Sequence, residues 1–424
     1  MKNIGVILLL LSAMFAAVSC KEKETIDLLI SNTSIISVEN EAIEENKDIL
    51  IKEGKIFGIS NHKKSYNAYT IKEKINAEGK FVMPSLIDMH VHIPDGLSKT
   101  ILPMYFANGI SLVRSMRAVD SYSKIKEGLS DKYYYPSIYF SSPTISRKLD
   151  FDSEEVDSLF SKYAIDGYDF TKILSVKDST VFKNIVTSAE KYNIELAGHY
   201  LPNIPKSLFY KANYKTVEHL GGFIHNDSLD LSSLKEFITR NIYMCPTLNW
   251  YYISDKIIEE NQILNKEEYS RFIPNNILEI WKERYISKNK NVTDYTNRIK
   301  AVENINAVAP ELIIAGGDSN IYIVPGFGLY DELNRLEDAG LSPFQILKTA
   351  TVNSAKCLNI FDKTGSVDIG KEASLLILNE NPIMNLSSLK NIYGIFYKNR
   401  YSDRTTLDLI LKKSISELKK TDRW

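Results

Sequence analysis

Residues 84–92 read PSLIDMHVH, an apolar run typical of a buried β-strand that ends in two histidines one residue apart. Because successive side chains of a strand point to opposite faces, His90 and His92 are predicted to share one face, about 7 Å apart along the strand. Two imidazoles placed in this way can bind one metal ion. The same spacing also arises by chance on a half-buried strand, so the motif alone leaves both interpretations open.

The composition is that of an ordinary globular protein. Of the 424 residues, 44% are hydrophobic and 25% are charged, and the formal net charge is −1. This near-neutral balance gives no reason to expect a nucleic-acid partner. Cys245 and Cys357 are too few for a disulfide framework, and we expect them to be buried as small hydrophobic residues. Stability must therefore come from the core of one large domain and a smaller one.

The first twenty residues differ from the rest of the chain. One positive charge at Lys2 precedes an almost wholly apolar run over residues 4–18, which ends in small residues before Cys20. The run is too short for a comfortable membrane span, so we predict a secretory signal peptide over residues 1–20.

Cysteine directly after small residues is typical of a bacterial lipoprotein signal, although Ala17 stands where leucine is more usual. We therefore expect lipid attachment at Cys20, with the charged residues 21–24 as a short tether. This predicts an exported, membrane-anchored lipoprotein of a bacterium, on the periplasmic or cell-surface side. The alternative is an ordinary signal peptide with a chance cysteine.

Short β-like segments separated by polar turns occupy both ends of the mature chain. Residues 25–83 and 358–405 share this texture, and we expect them to pair into one small composite β-sandwich. Between them, residues 84–357 alternate apolar β-type runs with helical patterns, which predicts an α/β fold with a (β/α)8 barrel. The eight runs cover residues 86–92, 111–116, 137–142, 169–174, 194–200, 216–220, 243–248 and 312–319.

Two segments go beyond a plain barrel. Residues 251–310 have a helical, aromatic-rich pattern that is far longer than one crossover needs. A lid or substrate wall on the C-terminal face and plain helical packing both fit this insertion. Residues 406–424 predict a basic amphipathic C-terminal helix, which we expect to be solvated rather than in contact with a membrane.

Six polar residues fall in, or at the C-terminal ends of, the predicted barrel strands. Active sites of (β/α)8 barrels lie at this face, so the six side chains are expected to meet in one barrel mouth. A single buried histidine, lysine or aspartate is usually a satisfied core group, but the set together favours a metal site. The six residues are His90, His92, Lys172, His199, His219 and Asp318.

The chain resembles the amidohydrolase superfamily of metal-dependent hydrolases, and within it the imidazolonepropionase-like and prolidase-like branch. The resemblance covers nearly all of the mature chain. The family's fold, a barrel flanked by a composite β-sandwich, agrees with the arrangement predicted above. The motifs that carry the resemblance are PSLIDMHVH, YDFTKI, LAGHY, TVEHL, MCPTL, IAGGDS, PGFGLYDELNRLEDAGLSPFQILKTATVNSAKCL and GSVDIGKEASLLILNENP.

The resemblance implies a site with two divalent metal ions. His90, His92 and Asp318 would bind one ion, and His199 and His219 the other. Lys172 would bridge both as a carbamate formed with carbon dioxide. Zinc suits imidazole and carboxylate ligands, although manganese and cobalt remain alternatives. Asp318 would also move a proton from the attacking hydroxide to the leaving amine.

Other positions bear on the substrate. Tyr200 is a candidate substrate-binding residue, although a packed tyrosine is the alternative, and Arg114 and Arg147 are candidates for holding a substrate carboxylate. The chain departs from the family pattern at Tyr330, where relatives often carry histidine, and at Ser115, where they carry aspartate. These departures weaken the transfer of any one relative's substrate.

The resulting hypothesis is an enzyme that hydrolyses amide or peptide-like C–N bonds in small molecules, of dipeptide or N-acyl amino acid type. One alternative is a cyclic-amide hydrolase or deaminase with a single metal, against which Lys172 argues. The other is a non-catalytic metal- or ligand-binding surface lipoprotein. The expected partners are a small-molecule substrate and the membrane through the lipid anchor, and a homo-oligomer is compatible with the sequence.

Overall fold

The computed structural model describes residues 23–94, 96–117, 129, 132–225, 228–253, 272–287, 295–319 and 322–421. The predicted signal peptide and lipid-attachment residue Cys20 lie outside this part of the chain. Among the described residues, no helix combines the length and apolar character that a membrane crossing requires.

The strands are numbered in chain order. They are β1 (Glu24–Ser37), β2 (Ala42–Lys52), β3 (Lys55–Asn61), β4 (Tyr69–Asn76), β5 (Phe81–Pro84), β6 (Leu86–Val91), β7 (Ile110–Ser115), β8 (Ser137–Phe140), β9 (Phe170–Ile173), β10 (Glu195–Gly198), β11 (Tyr214–Glu218), β12 (Ile224–His225), β13 (Ser228–Leu229), β14 (Tyr243–Cys245), β15 (Leu375–Leu378), β16 (Ile392–Tyr397) and β17 (Arg400–Asp403).

The helices follow the same convention. They are α1 (Ser98–Ala107), α2 (Ser153–Asp166), α3 (Ser179–Lys191), α4 (Lys206–Phe209), α5 (Leu234–Thr239), α6 (Asn275–Ser287), α7 (Tyr295–Val308), α8 (Gly328–Asp338), α9 (Pro343–Thr349), α10 (Val352–Cys357) and α11 (Arg404–Leu418), with 3-10 helices at Pro310–Leu312 and Leu386–Lys390.

Parallel pairing of consecutive strands builds the predicted barrel. Hydrogen bonds join β6, β7 and β8 in one group and β9, β10, β11 and β14 in another. A parallel bridge between Ser141 and Phe170 links the two groups. Because helices cover the outer face, the strands read as continuous buried runs such as Leu86–Val91 rather than as alternating patterns.

The predicted eighth strand closes the barrel in a different form from the other seven. Residues 313–319 are an extended segment that meets its neighbours through the isolated bridges of Met244 with Ile313 and of Val91 with Ser319. Further backbone hydrogen bonds join it to the first strand, such as that from the Met89 N–H to the Ala315 carbonyl. Gly316 and Gly317 allow this segment to pass close to the first strand, because a Cβ on Gly316 would lie 2.4 Å from the Cβ of His90. The segment therefore runs against the first strand at the level of the two predicted metal-binding histidines.

The two β-rich ends of the chain pair with each other, as predicted. One eight-stranded sheet has the order β17-β16-β15-β5-β1-β2-β3, with β4 also paired to β1. The join between the ends is antiparallel and places Leu375 opposite Pro84. Apolar side chains from both ends share one core, including Ile30, Ile49 and Phe396. The sheet leads directly into the barrel, because Pro84 and Leu86 are separated by one residue.

Local capping explains where two barrel helices begin and end. The Asp152 side chain accepts hydrogen bonds from the backbone N–H groups of Glu154 and Glu155 at the start of α2. Gly167 ends the same helix in the left-handed conformation that glycine adopts at low cost. The helix is thereby limited to the length of one crossover.

The insertion after β14 is helical in its described part, as predicted. Helix α6 buries Trp281, and α7 buries Ala301, Val302 and Ile305. The C-terminal helix α11 buries Leu407 and Leu418 and packs against α1, so one of its faces belongs to the protein core. This packing modifies the expectation of a solvated terminal helix.

Candidate active site

The structure brings three of the predicted histidine ligands together around the Asp318 carboxylate. Its oxygens lie 3.1 Å from His92 Nε2, 3.6 Å from His90 Nε2 and 3.8 Å from His219 Nδ1. The rings of His199 and His219 are 5.0 Å apart between centroids. His90, His219 and Asp318 can each offer a ligand atom within 4.8 Å of the others. Residues far apart in sequence thus share one small volume.

Backbone conformation near this cluster is unusual. Four non-glycine residues have a left-handed φ between 46° and 61°: Asp318, Thr247, Leu220 and His219. Each such residue costs about 1–3 kcal/mol and persists only where its surroundings hold it in place. Strain of this kind concentrates at functional sites, and here it lies within the predicted cluster.

His90 has its proton position set by a carboxylate. Its Nδ1 lies 2.7 Å from Glu218 Oε2, and both side chains are fully buried. Because an ionised carboxylate only accepts hydrogen bonds, Nδ1 carries the proton and Nε2 presents its lone pair. His90 Nε2 makes no hydrogen bond within the described part of the chain.

His219 has a similar arrangement with a neutral partner. Its Nδ1 lies 2.7 Å from Thr247 Oγ1, whose own hydroxyl donates to the Pro246 carbonyl. The Thr247 oxygen is therefore the acceptor, so His219 also carries its proton on Nδ1. Its Nε2 lone pair is then available as a ligand, which matches the chemistry that a metal site needs.

Burial lowers the pKa of His90, His199 and His219 and so favours the neutral form that binds metals. It lowers the pKa of His90 and of His199 to about 4, with Lys172 adding to the shift in both cases. Burial alone would raise the pKa of Asp318, but the surrounding histidines hold it well below its ordinary value. Neutral imidazoles around an ionised carboxylate form a donor set that fits a divalent metal ion.

Lys172 lies inside β9, opposite Ala197 of β10, and is only 4% exposed. Burial lowers the pKa of its ammonium group, while the charges of Glu218 and Asp318 act in the opposite direction. The neutral amine is the form that reacts with carbon dioxide. The surroundings of Lys172 are therefore compatible with the carbamate that the resemblance implies.

His199 is placed by the glycine before it. Gly198 has a φ of +130°, and a Cβ there would lie 2.1 Å from the carbonyl oxygen of Ile173. This close approach lets the His199 N–H donate to the same oxygen at 2.9 Å. The turn at the end of β10 is thus fastened to the strand that carries Lys172.

The candidate substrate residues have other contacts. Arg114 is 3% exposed and donates to Glu218, Thr216 and the Met89 carbonyl, so its guanidinium belongs to the barrel interior. This corrects the expectation that Arg114 could hold a substrate carboxylate. Arg147 is exposed, and its backbone N–H donates to Ser175.

The tyrosines named from the sequence are both buried. The ring of Tyr200 lies 4.8 Å from that of Phe209, and burial raises its pKa to about 12. This packing favours the structural alternative, and the substrate-binding role stays a prediction. Tyr330 donates to the Asn108 carbonyl at 2.6 Å, so this departure from the family pattern serves packing. The hydroxyl of Ser115 donates to the Arg117 carbonyl.

Sequence reasoning missed three residues that support the ligands. They are Glu218, Thr247 and Asp88, whose carboxylate accepts from the N–H groups of His90 and Gly317. A signal for two of them was available, because Asp88 and Glu218 are charged residues inside apolar strand runs. Thr247 gave no such signal, since its role depends on the turn after β14.

The barrel and its cluster of histidines with Asp318 define a candidate metal site in a (β/α)8 fold, and comparison with known proteins identifies the family. The chain belongs to the amidohydrolase family, whose model matches residues 176–401. Similar curated proteins are adenine deaminases. That of Geobacillus kaustophilus is 23% identical over 390 residues, which are 89% of this chain and 58% of that protein. That of Petrotoga mobilis is 35% identical over 88 residues, 19% of this chain and 14% of that protein. The chain thus spans little more than half the length of the Geobacillus kaustophilus protein.

Solved structures support the same fold. A Xaa-Pro dipeptidase with bound methionine superposes with a TM-score of 0.67 at 19% identity, covering 89% of this chain and 99% of that one. The bottromycin amidohydrolase has a TM-score of 0.72 at 15% identity, covering 92% and 90%. A putative prolidase from Bifidobacterium longum has a TM-score of 0.68 at 18% identity, covering 91% and 98%. At these identities the likeness establishes the barrel with its flanking sheet.

Proposed function

We propose that the protein is a metal-dependent hydrolase of amide or peptide-like C–N bonds in small molecules, of dipeptide or N-acyl amino acid type. The observation that carries the proposal is the convergence of three imidazoles on the ionised Asp318 carboxylate, with Lys172 buried in the same barrel. Structural likeness to a Xaa-Pro dipeptidase supports the choice of substrate class.

Each ligand residue has a defined part in this proposal. His90, His92 and Asp318 would hold one divalent ion, His199 and His219 the second, and Lys172 would bridge them as a carbamate. When bound, the metals, zinc in our expectation, would supply activated water at neutral pH and polarise the scissile carbonyl. Asp318 takes the proton of the attacking water and delivers it to the leaving amine. Its pKa, held low by the histidines, keeps the carboxylate ionised for this task.

The test combines metal content with turnover. We expect about two zinc or manganese ions per chain by elemental analysis of chelator-free protein, and release of amino acid from members of a dipeptide and N-acyl amino acid library. Asp318→Asn should abolish turnover, whereas Asp157→Asn, on the exposed face of α2, is the matched control. A protein that binds no metal after reconstitution with zinc and bicarbonate contradicts the proposal and favours a binding lipoprotein.

A second candidate is deamination of a purine-like cyclic amidine. It is favoured by the sequence match to an adenine deaminase over 89% of the chain. Release of ammonia from adenine without cleavage of any dipeptide would support it. A single metal ion per chain would point the same way and would make Lys172 a structural residue.

The cellular location is part of the same proposal. We propose an exported lipoprotein anchored through Cys20, based on the sequence of residues 1–20 alone. Metabolic labelling with a radioactive fatty acid should mark the wild-type chain and not Cys20→Ala. Labelling of both chains contradicts attachment at this residue.

A further inference from the structure

A buried ion pair crosses the barrel interior beside the proposed metal ligands. Arg114 of β7 donates from Nη2 to Glu218 Oε1 at 2.7 Å and from Nη1 to Thr216 Oγ1 at 2.8 Å. Its Nε donates to the Met89 carbonyl, the residue before His90, at 2.7 Å. All three guanidinium nitrogens are thus engaged within the protein, and the Arg114 residue is 3% exposed.

The two oxygens of Glu218 have separate tasks. Oε1 accepts from both Arg114 and Thr216, the latter at 2.5 Å. Oε2 faces His90 Nδ1 at 2.7 Å. Because Arg114 and Thr216 both donate to Oε1, turning the carboxylate away would leave these two buried donors without an acceptor. Its orientation toward His90 is therefore fixed by β7 and by its own strand β11.

A buried ion pair of this kind is a weak source of stability. The desolvation of two charges offsets most of their attraction, and apolar replacements of similar volume are often as stable or more so. The pair is more economically explained by what Glu218 does to the histidine that it contacts. A carboxylate on the distal ring nitrogen fixes the tautomer of a metal-binding histidine and increases its basicity.

We propose that Glu218, oriented by Arg114, is a positioning residue that fixes the proton of His90 on Nδ1 and so keeps Nε2 as a metal ligand. The proposal rests on the metal-dependent function proposed above. It makes the metal affinity of the site depend on Glu218, a side chain outside the proposed set of metal ligands. Thr216 supports the same orientation through its hydroxyl.

The decisive variant is Glu218→Gln, which keeps the shape and removes the charge. Arg114 and Thr216 both donate toward Oε1, so the glutamine must place its carbonyl oxygen there. Its amide NH2 then faces His90 Nδ1, and two donors cannot meet. His90 is expected to shift its proton to Nε2, which blocks the ligand lone pair. We expect zinc affinity to fall by about 10-fold to 100-fold.

Two readouts test this independently of turnover. Nitrogen-15 NMR of histidine-labelled, metal-free protein should show His90 protonated on Nδ1 in the wild type and on Nε2 in Glu218→Gln, with the signal assigned through a His90→Gln sample. Competition with a chromophoric chelator measures the affinity for zinc. Asp48→Asn is the matched control, because Asp48 is a buried carboxylate of β2 that also lies against a histidine Nδ1, that of His62, in the flanking sheet.

The outcomes are distinct. A His90 proton on Nε2 in the wild type overturns the proposal, and this result needs no variant to fold. An unchanged tautomer or unchanged zinc affinity in a folded Glu218→Gln protein also overturns it. If zinc affinity and tautomer change as expected while no amide is cleaved, the positioning role stands and the proposed hydrolase function fails.

Discussion

The carboxylate of Glu332 accepts a 2.8 Å hydrogen bond from the backbone N–H of Asn249, joining helix α8 to the turn after β14. That turn carries Thr247, the acceptor for His219 Nδ1. A helix outside the barrel thereby holds the loop on which one of the proposed ligands depends.

Glu332 gives a prediction about pH and stability. Burial raises its pKa to about 8, against 4.5 as the ordinary value, so folding favours its neutral form. The stability that it contributes is complete below about pH 4.5 and is lost as the pH rises toward 8. Glu332→Gln stays neutral, so its melting temperature should rise relative to wild type between about pH 5 and pH 8. A pH-independent difference contradicts this, and Glu236→Gln on the exposed side of α5 is the control.

Thr247→Val should weaken metal binding while leaving the fold intact. Both side chains are β-branched, so the strain of the left-handed φ of 48° is matched, and only the acceptor for His219 is lost. We expect a loss of roughly tenfold in zinc affinity, because the His219 tautomer is no longer held. Isothermal titration with a competing chelator measures it. Unchanged affinity would mean that the Thr247 contact has no influence on the ligand.

Gly198→Ala should destabilise the protein strongly. Its Cβ would lie 2.1 Å from the Ile173 carbonyl oxygen, which belongs to a strand and cannot move aside cheaply. We expect a loss of roughly 4 kcal/mol or more in the free energy of unfolding, measured by urea denaturation. Gly167→Ala is the control, since its φ is also positive but no atom lies within 4 Å, and it should cost about 1 kcal/mol. Equal losses in the two variants would refute the steric argument.

Lys172→Met should remove at least half of the bound metal. The proposed carbamate bridges both ions, and methionine fills similar volume without offering the two anionic oxygens. Reconstitution of the wild type with zinc should depend on bicarbonate, and carbon-13 bicarbonate should give a carbamate signal by NMR. Full metal content in Lys172→Met, or reconstitution of the wild type that does not depend on bicarbonate, would contradict a bridging role for the lysine.

The fold was largely predictable from the sequence because buried parallel strands have a recognisable sequence pattern. Runs such as 86–92 and 111–116 are continuous and apolar, and their carboxyl ends must meet at one face. That rule placed His90, His92 and Asp318 together, and the structure brings them within hydrogen-bonding or near-contact distance. Their metal-binding roles remain predictions.

What the sequence did not reveal depends on distances across the barrel. From the sequence, Arg114 was a candidate for binding a substrate carboxylate. The structure shows that its guanidinium donates instead to Glu218 of β11, a contact across the barrel that the sequence does not reveal. The eighth run was expected to be a strand like the other seven, but residues 313–319 pair through isolated bridges while Gly316 packs closely against His90. The hydrophobic pattern of one strand does not predict which side chains of another strand it will contact.

The closure of the barrel by the segment 313–319 is coupled to the assembly of the proposed ligand cluster. The backbone N–H of Asp318 donates to the His90 carbonyl, so the contact that completes the barrel is also the one that completes the cluster. The two residues are far apart in sequence, so forming this contact costs the entropy of closing a large loop. A ligand that binds only the closed cluster stabilises the folded state by mass action. In this chain, closing the barrel and assembling the proposed ligand cluster are therefore the same structural event, and we expect unfolding of residues 313–319 to separate Asp318 from the histidines.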